Sequence, residues 1–134
     1  MDPVVHFEMP YDNPDRMARF YGEVFGWELR MLGEEMGNYV VATTVKPGLR
    51  VGHDAAYGAI GGGFYPRKPD WPAQYPSIVI AVQDIRASMS KVKAAGGQVL
   101  GEPMAIPGIG DYVSFFDTEN NRVSMLQPLA IGNG

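Results

Sequence analysis

Cysteine is absent from this 134-residue chain, and histidine occurs only twice, as His6 and His53. The first absence excludes disulfides, thiolate-bound zinc, iron–sulfur clusters and thiol nucleophiles. No apolar run approaches the ~20 residues of a membrane-spanning helix, and the N-terminus MDPVVHFEMP has no basic stretch leading into an apolar one. Positive charge is scarce as well. Eleven Lys and Arg against 15 Asp and Glu leave a formal charge of −4, and no basic stripe is available for nucleic acid. These absences predict a cytoplasmic chain with neither nucleic-acid nor membrane partners. Two catalytic signatures are missing too. There is no GxSxG elbow, and Gly61-Gly62-Gly63 lacks both the Lys-Ser/Thr of a phosphate loop and the context of a dinucleotide fingerprint.

What remains is a chain that is 46% hydrophobic and 19% charged, which suits one folded domain, with IGNG at 131–134 as a flexible tail. In VVHFEMP, residues 4–10, strand alternation sends Val5, Phe7 and Met9 to one side and His6 and Glu8 to the other. Asp12 or Asn13 then caps a helix that carries Pro14 in its first turn. Met17, Phe20, Tyr21, Val24 and Phe25 form its apolar stripe, and Gly26 stops it. WELRML and GNYVVATT follow as strands around a turn at Gly33-Glu34-Glu35. The GGG strand reads as backbone kept bare so that a ligand or neighbouring backbone can approach closely. Prolines 66, 69, 72 and 76 then punctuate a connection.

Beyond that connection the pattern repeats. A shift of 71 residues places Phe7 on Ile78, Met9 on Ile80, Asn13 on Asp84, Tyr21 on Val92 and Gly26 on Gly97. Ile85, Met89 and Val92 mark the second helix, and QVLGEPM, DYVSFFD and RVSMLQP supply three further strands. The whole chain, 1–134, is therefore predicted to be one domain of two βαβββ modules, at about 3–65 and 76–129, with a connection at about 66–75. The helices would cover one sheet face over Phe7, Met9, Ile78 and Ile80. The opposite face carries His6 and Glu8.

FYGEVFGW, IGGGFYPR and the closing IPGIGDYVSFFDTENN, set in two tandem βαβββ modules, resemble the vicinal oxygen chelate superfamily, and in particular its glyoxalase/bleomycin-resistance members. The resemblance implies an α+β fold whose mixed sheet forms a cup with the helices outside, and it implies a homodimer. It also implies four metal-ligand positions, which fall on His6, Ser77, Ser124 and a residue of the Ala59–Phe64 strand. Only His6 is a ligand, whereas catalytic zinc takes about three protein side chains. No metal or other cofactor is therefore expected, and glyoxalase I chemistry is not. A divalent ion would need a site rebuilt from His6 and Glu8 with His53 and Asp54.

The candidate pocket comprises His6, Glu8, Tyr39, Phe64, Ser77, Tyr112 and Ser124, with aromatics suited to a flat, partly apolar ligand. Tyr57, Tyr65, Trp71, Tyr75 and Phe115 add to the aromatic stock, and ordinary packing accounts for some of them. Two functions stay open. One is a binding module that holds a small, partly apolar molecule without catalysis. The other is a lyase, isomerase or dioxygenase-type enzyme, metal-free with His6 and Glu8 as acid and base, or using the rebuilt site.

Overall fold

Each half of the chain opens with the same local device. Asn13 Oδ1 accepts the Arg16 N–H at 2.9 Å, starting helix α1 (Pro14–Phe25) with proline at its first position. Asp84 Oδ1 accepts the Ala87 N–H at 3.0 Å and starts α2 (Ile85–Ala94). Such caps satisfy N–H groups that the helix itself leaves unbonded. Gly26 ends α1 in the left-handed conformation at φ 75°. The left-handed glycine after α2 is Gly96, φ 100°, and not Gly97, because α2 ends earlier. Gly97 instead lies where a side chain would press on Val92 and the Phe116 carbonyl.

The computed structural model describes residues 1–45 and 59–129. His53, Asp54, Tyr57 and the IGNG tail lie outside the described residues. The strands are β1 (Val4–Tyr11), β2 (Glu28–Met31), β3 (Val40–Thr43), β4 (Gly61–Pro66), β5 (Ser77–Ala81), β6 (Gln98–Ile106), β7 (Gly110–Phe116) and β8 (Arg122–Pro128). No described helix is long and apolar enough to cross a membrane. Two compact units result: His6–Pro76, and Met1–Val5 together with the chain from Ser77 onward.

In the His6–Pro76 unit the strand order is β2-β3-β4-β1, with β1 and β4 parallel and the other pairs antiparallel. In the other unit β6-β7-β8-β5 follows the same scheme, with β5 and β8 parallel. The fold is thus α+β, and the βαβββ pattern occurs twice. A parallel pair needs a long crossover, and the helix and hairpin between β1 and β4 provide it.

The core of the His6–Pro76 unit joins Tyr11, Val40, Ala42 and Phe64 to Phe7, Met9, Met17, Tyr21, Trp27 and Leu29. Phe64 is 1% exposed among these residues, on the helix side of the sheet, so it packs the core and does not line a pocket. Burying a side chain of that size contributes about 1.5–3 kcal/mol. Only part of the predicted α1 stripe is used. Met17 and Tyr21, one turn apart, pack inward, while Phe20, Val24 and Phe25 are exposed. The other unit packs Val82, Ile85, Met89, Val113 and Met125 with Ile80, Val92, Val99 and Phe115. Phe115 is therefore core, and Ile78, predicted to be core, is exposed. Trp71 and Tyr75 are exposed in the proline-rich connection, where the Gln74 side chain bonds Lys68 and the Trp71 carbonyl.

Candidate functional site

The alternation of β1 separates its side chains as its sequence requires. Phe7 and Met9 join the helix-side core, and His6 and Glu8 lie on the opposite face. The parallel register sets His6 beside Gly61 and Glu8 beside Gly63, while β3 sets Val41 against Gly63 from the other side. Two of these neighbours lack side chains, and that leaves room above the sheet. At Gly61 backbone approaches, since a Cβ would lie 3.2 Å from the Ala42 carbonyl, and at Gly63 a side chain fills the room. A Cβ on Gly63 would collide with the Tyr39 hydroxyl, and on the helix side of the sheet one on Gly62 would collide with the Phe7 ring.

Tyr39 arrives there from a tight turn. A 3₁₀ turn at Glu34–Met36 ends at Gly37, φ 64°, and Asn38, φ 57°, and the Leu32 N–H bonds the Tyr39 carbonyl at 3.0 Å. The Tyr11 hydroxyl pins the turn by donating to the Asn38 carbonyl at 2.6 Å. Tyr39 Oη then sits between the two polar residues of β1. It donates to Glu8 Oε2 at 3.0 Å and lies 2.9 Å from His6 Nε2. Glu8 is buried, 8% exposed. Burial holds the His6 imidazole below its ordinary value of 6.5, because desolvation disfavours the cation.

Beside His6 lies a cleft of about 370 Å³, walled chiefly by Val41, Thr43, Val45, Ala59 and Gly61. Thr44 Oγ1 donates to the Ile60 carbonyl at 2.6 Å and ties the two sides of its rim together. Among the described wall residues His6 is the one that ionises, and the others are apolar or hydroxylic.

In the other unit Tyr112, Ser114 and Ser124 form a chain of hydroxyls. Ser124 Oγ is 2.7 Å from Tyr112 Oη and 2.9 Å from Ser114 Oγ, and both serines are buried. Ser77 is the half-buried first residue of β5. The strand register relates the two chains of hydrogen bonds. Ser124 pairs with Val79 and Ser114, as Gly63 pairs with Glu8 and Val41. Tyr112 and Tyr39 each stand two residues before the partner strand's paired position. Each unit thus sends a tyrosine to the same place, and it meets a serine in one and bare backbone in the other.

That geometry tests the metal set implied by the resemblance. Gly63, the register counterpart of Ser124, has no ligand side chain, and the volume such a side chain would need holds the Tyr39 ring. Tyr39 Oη also occupies the gap between His6 and Glu8. Among the described residues no three His, Cys, Asp or Glu side chains gather into a metal-binding group. The described donor set does not fit a divalent ion.

Comparison with known proteins gives the fold a family. The Glyoxalase/Bleomycin resistance protein/Dioxygenase superfamily matches over residues 4–125. Proteins of Mycobacterium bovis and Mycobacterium tuberculosis named "Putative glyoxylase CFP32" are 34% identical over 122 residues, 90% of this chain and 42% of their own length. The chain therefore spans less than half of the curated relatives that it matches. Among solved structures, a methylmalonyl-CoA epimerase in complex with methylmalonyl-CoA and NH4+ aligns at TM-score 0.69 and 16% identity, over 98% of this chain and 97% of that one. The epimerase of Mycobacterium tuberculosis aligns at TM-score 0.65 and 13% identity, over 93% and 87%. These two likenesses concern the fold. With the family match spanning nearly its whole length and the βαβββ pattern present twice, the chain belongs to the glyoxalase/bleomycin resistance/dioxygenase superfamily.

Proposed function

We propose that this protein binds a small, flat, partly apolar molecule in the cleft beside His6, and does so without a divalent metal. The observation that carries the reading is the His6–Tyr39–Glu8 chain, a polar terminus built at the edge of a cleft whose other described wall residues are apolar or hydroxylic. Apolar walls supply contact area and a few fixed polar groups supply orientation. The test is a thermal-shift screen of flat aromatic and heteroaromatic compounds, repeated with a chelator and with His6→Ala. Stabilisation that survives the chelator, is lost in His6→Ala and returns the compound unchanged supports binding. Stabilisation that the chelator abolishes sinks the metal-free reading.

A second reading, favoured by the same chain, is metal-free proton transfer on a bound substrate, as in a lyase or isomerase. The curated relatives carry a glyoxylase name, and the two epimerases described above share the fold, which gives this reading a precedent of isomerase chemistry on such a fold. Turnover that collapses in Glu8→Gln while the fold survives would establish it. The homodimer implied by the resemblance belongs to the same proposal, and light scattering on the purified protein tests it.

A further inference from the structure

The protons of the His6–Tyr39–Glu8 chain can be placed one at a time. A carboxylate only accepts hydrogen bonds, and the Tyr39 hydroxyl, with a single proton, donates it to Glu8 Oε2. The proton between Tyr39 Oη and His6 Nε2, 2.9 Å apart, must then come from the ring. A neutral imidazole has one N–H, so its other nitrogen keeps a lone pair. Nδ1 has no hydrogen-bond partner among the described residues, and the ring borders the cleft. Among the described wall residues, only His6 and two threonines offer a polar side chain.

We infer that Tyr39, seated on the bare backbone of Gly63, is a positioning residue that locks His6 in the Nε2–H tautomer, so that Nδ1 is an acceptor and the cleft selects flat molecules bearing a hydroxyl or N–H donor. This rests on the cleft being a ligand site and adds the chemistry of what it takes. Gly63 is part of the device, since any side chain there displaces the tyrosine. So is Glu8, which takes the hydroxyl proton and thereby fixes the direction of the chain. The logic is that of any histidine whose function depends on which nitrogen its neighbour protonates.

The first experiment is ¹⁵N NMR of histidine-labelled, ligand-free protein above neutral pH, with the His6 signals identified by their loss in His6→Gln. The expected result is a single neutral tautomer with the proton on Nε2, and mixed tautomers in Tyr39→Phe with its fold confirmed by a cooperative melt. A proton on Nδ1, or a mixture, in the wild-type protein overturns the inference whatever the variant does. The second experiment compares phenol with anisole, which is similar in shape but lacks the donor. Phenol should bind about five- to tenfold more tightly, a ratio that one neutral hydrogen bond supplies, and should move the Nδ1 resonance. Equal binding overturns the selection for a donor. Failure of both to bind, with the Nε2–H tautomer intact, overturns the ligand-site reading and not the order of the protons.

Discussion

Alanine at position 63 would drive its methyl group into the Tyr39 hydroxyl, and serine or any larger residue would do so further. Gly63→Ala should therefore cost about 1–3 kcal/mol as an overpacking change, read from denaturant midpoints at unchanged slope. In a Tyr39→Ala background the same substitution should cost much less, and a double-mutant cycle measures that coupling. Tyr39→Phe removes the donor from buried Glu8, so it should lose roughly 1–3 kcal/mol in the same assay. His6 gives a pH signature. Its folded-state value lies below 6.5 because burial disfavours the cation, so on acidification the unfolded chain takes up the proton first. This contribution to stability is complete above about pH 6.5 and is lost as pH falls from there to the lowered folded value. The melting temperature of His6→Gln should accordingly depend less on pH across that window than the wild type does.

The elements show how far pattern alone reaches. Both helix starts were legible because a cap is a local event: Asn13 and Asp84 each bond an N–H three residues on. Replacing either by alanine should cost about 1 kcal/mol, measurable by thermal unfolding. The α1 stripe is wider in the sequence than in the fold. Periodicity marks which residues share a face, but here Met17 and Tyr21 suffice to meet the sheet, and Phe20, Val24 and Phe25 are left outside. The turn between β7 and β8 is fastened by contacts that no pattern displays. Asp117 accepts N–H bonds from Glu119 and Asn121 and a third from the Asn121 amide. Those bonds, that of the Asn121 amide foremost, hold its carboxyl below the usual value against the opposing effect of desolvation.

On the scale of the whole chain, the repeat was visible where the two copies have equal spacing. His6 and Glu8 on one face followed from alternation, and their counterparts from a shift of 71 residues. The third member of the site did not. Tyr39 corresponds to Tyr112 at a separation of 73, and Gly63 to Ser124 at a separation of 61, because the copies differ in the lengths of their turns and connections. No single offset aligns those pairs; only strand register does. Tyr39 is legible only as one aromatic among several, and its bond to both His6 and Glu8 depends on a glycine in the neighbouring strand.

The aromatic residues are unevenly shared between the units. Trp27 stacks on Tyr21 with centroids 4.8 Å apart and planes 9° from parallel, and Trp71, 44% exposed, has the Lys68 ammonium 4.5 Å from its ring centre. Both tryptophans of the chain thus fall in the His6–Pro76 unit, and the segment from Ser77 has Tyr112 as its one tyrosine. Indole emission is therefore a one-sided lamp: it reports the melting of one βαβββ copy, while far-ultraviolet dichroism reports both. Coincident curves are the expected outcome for two copies that unfold as one cooperative body, and an emission change that leads or trails the dichroism would show each copy melting on its own.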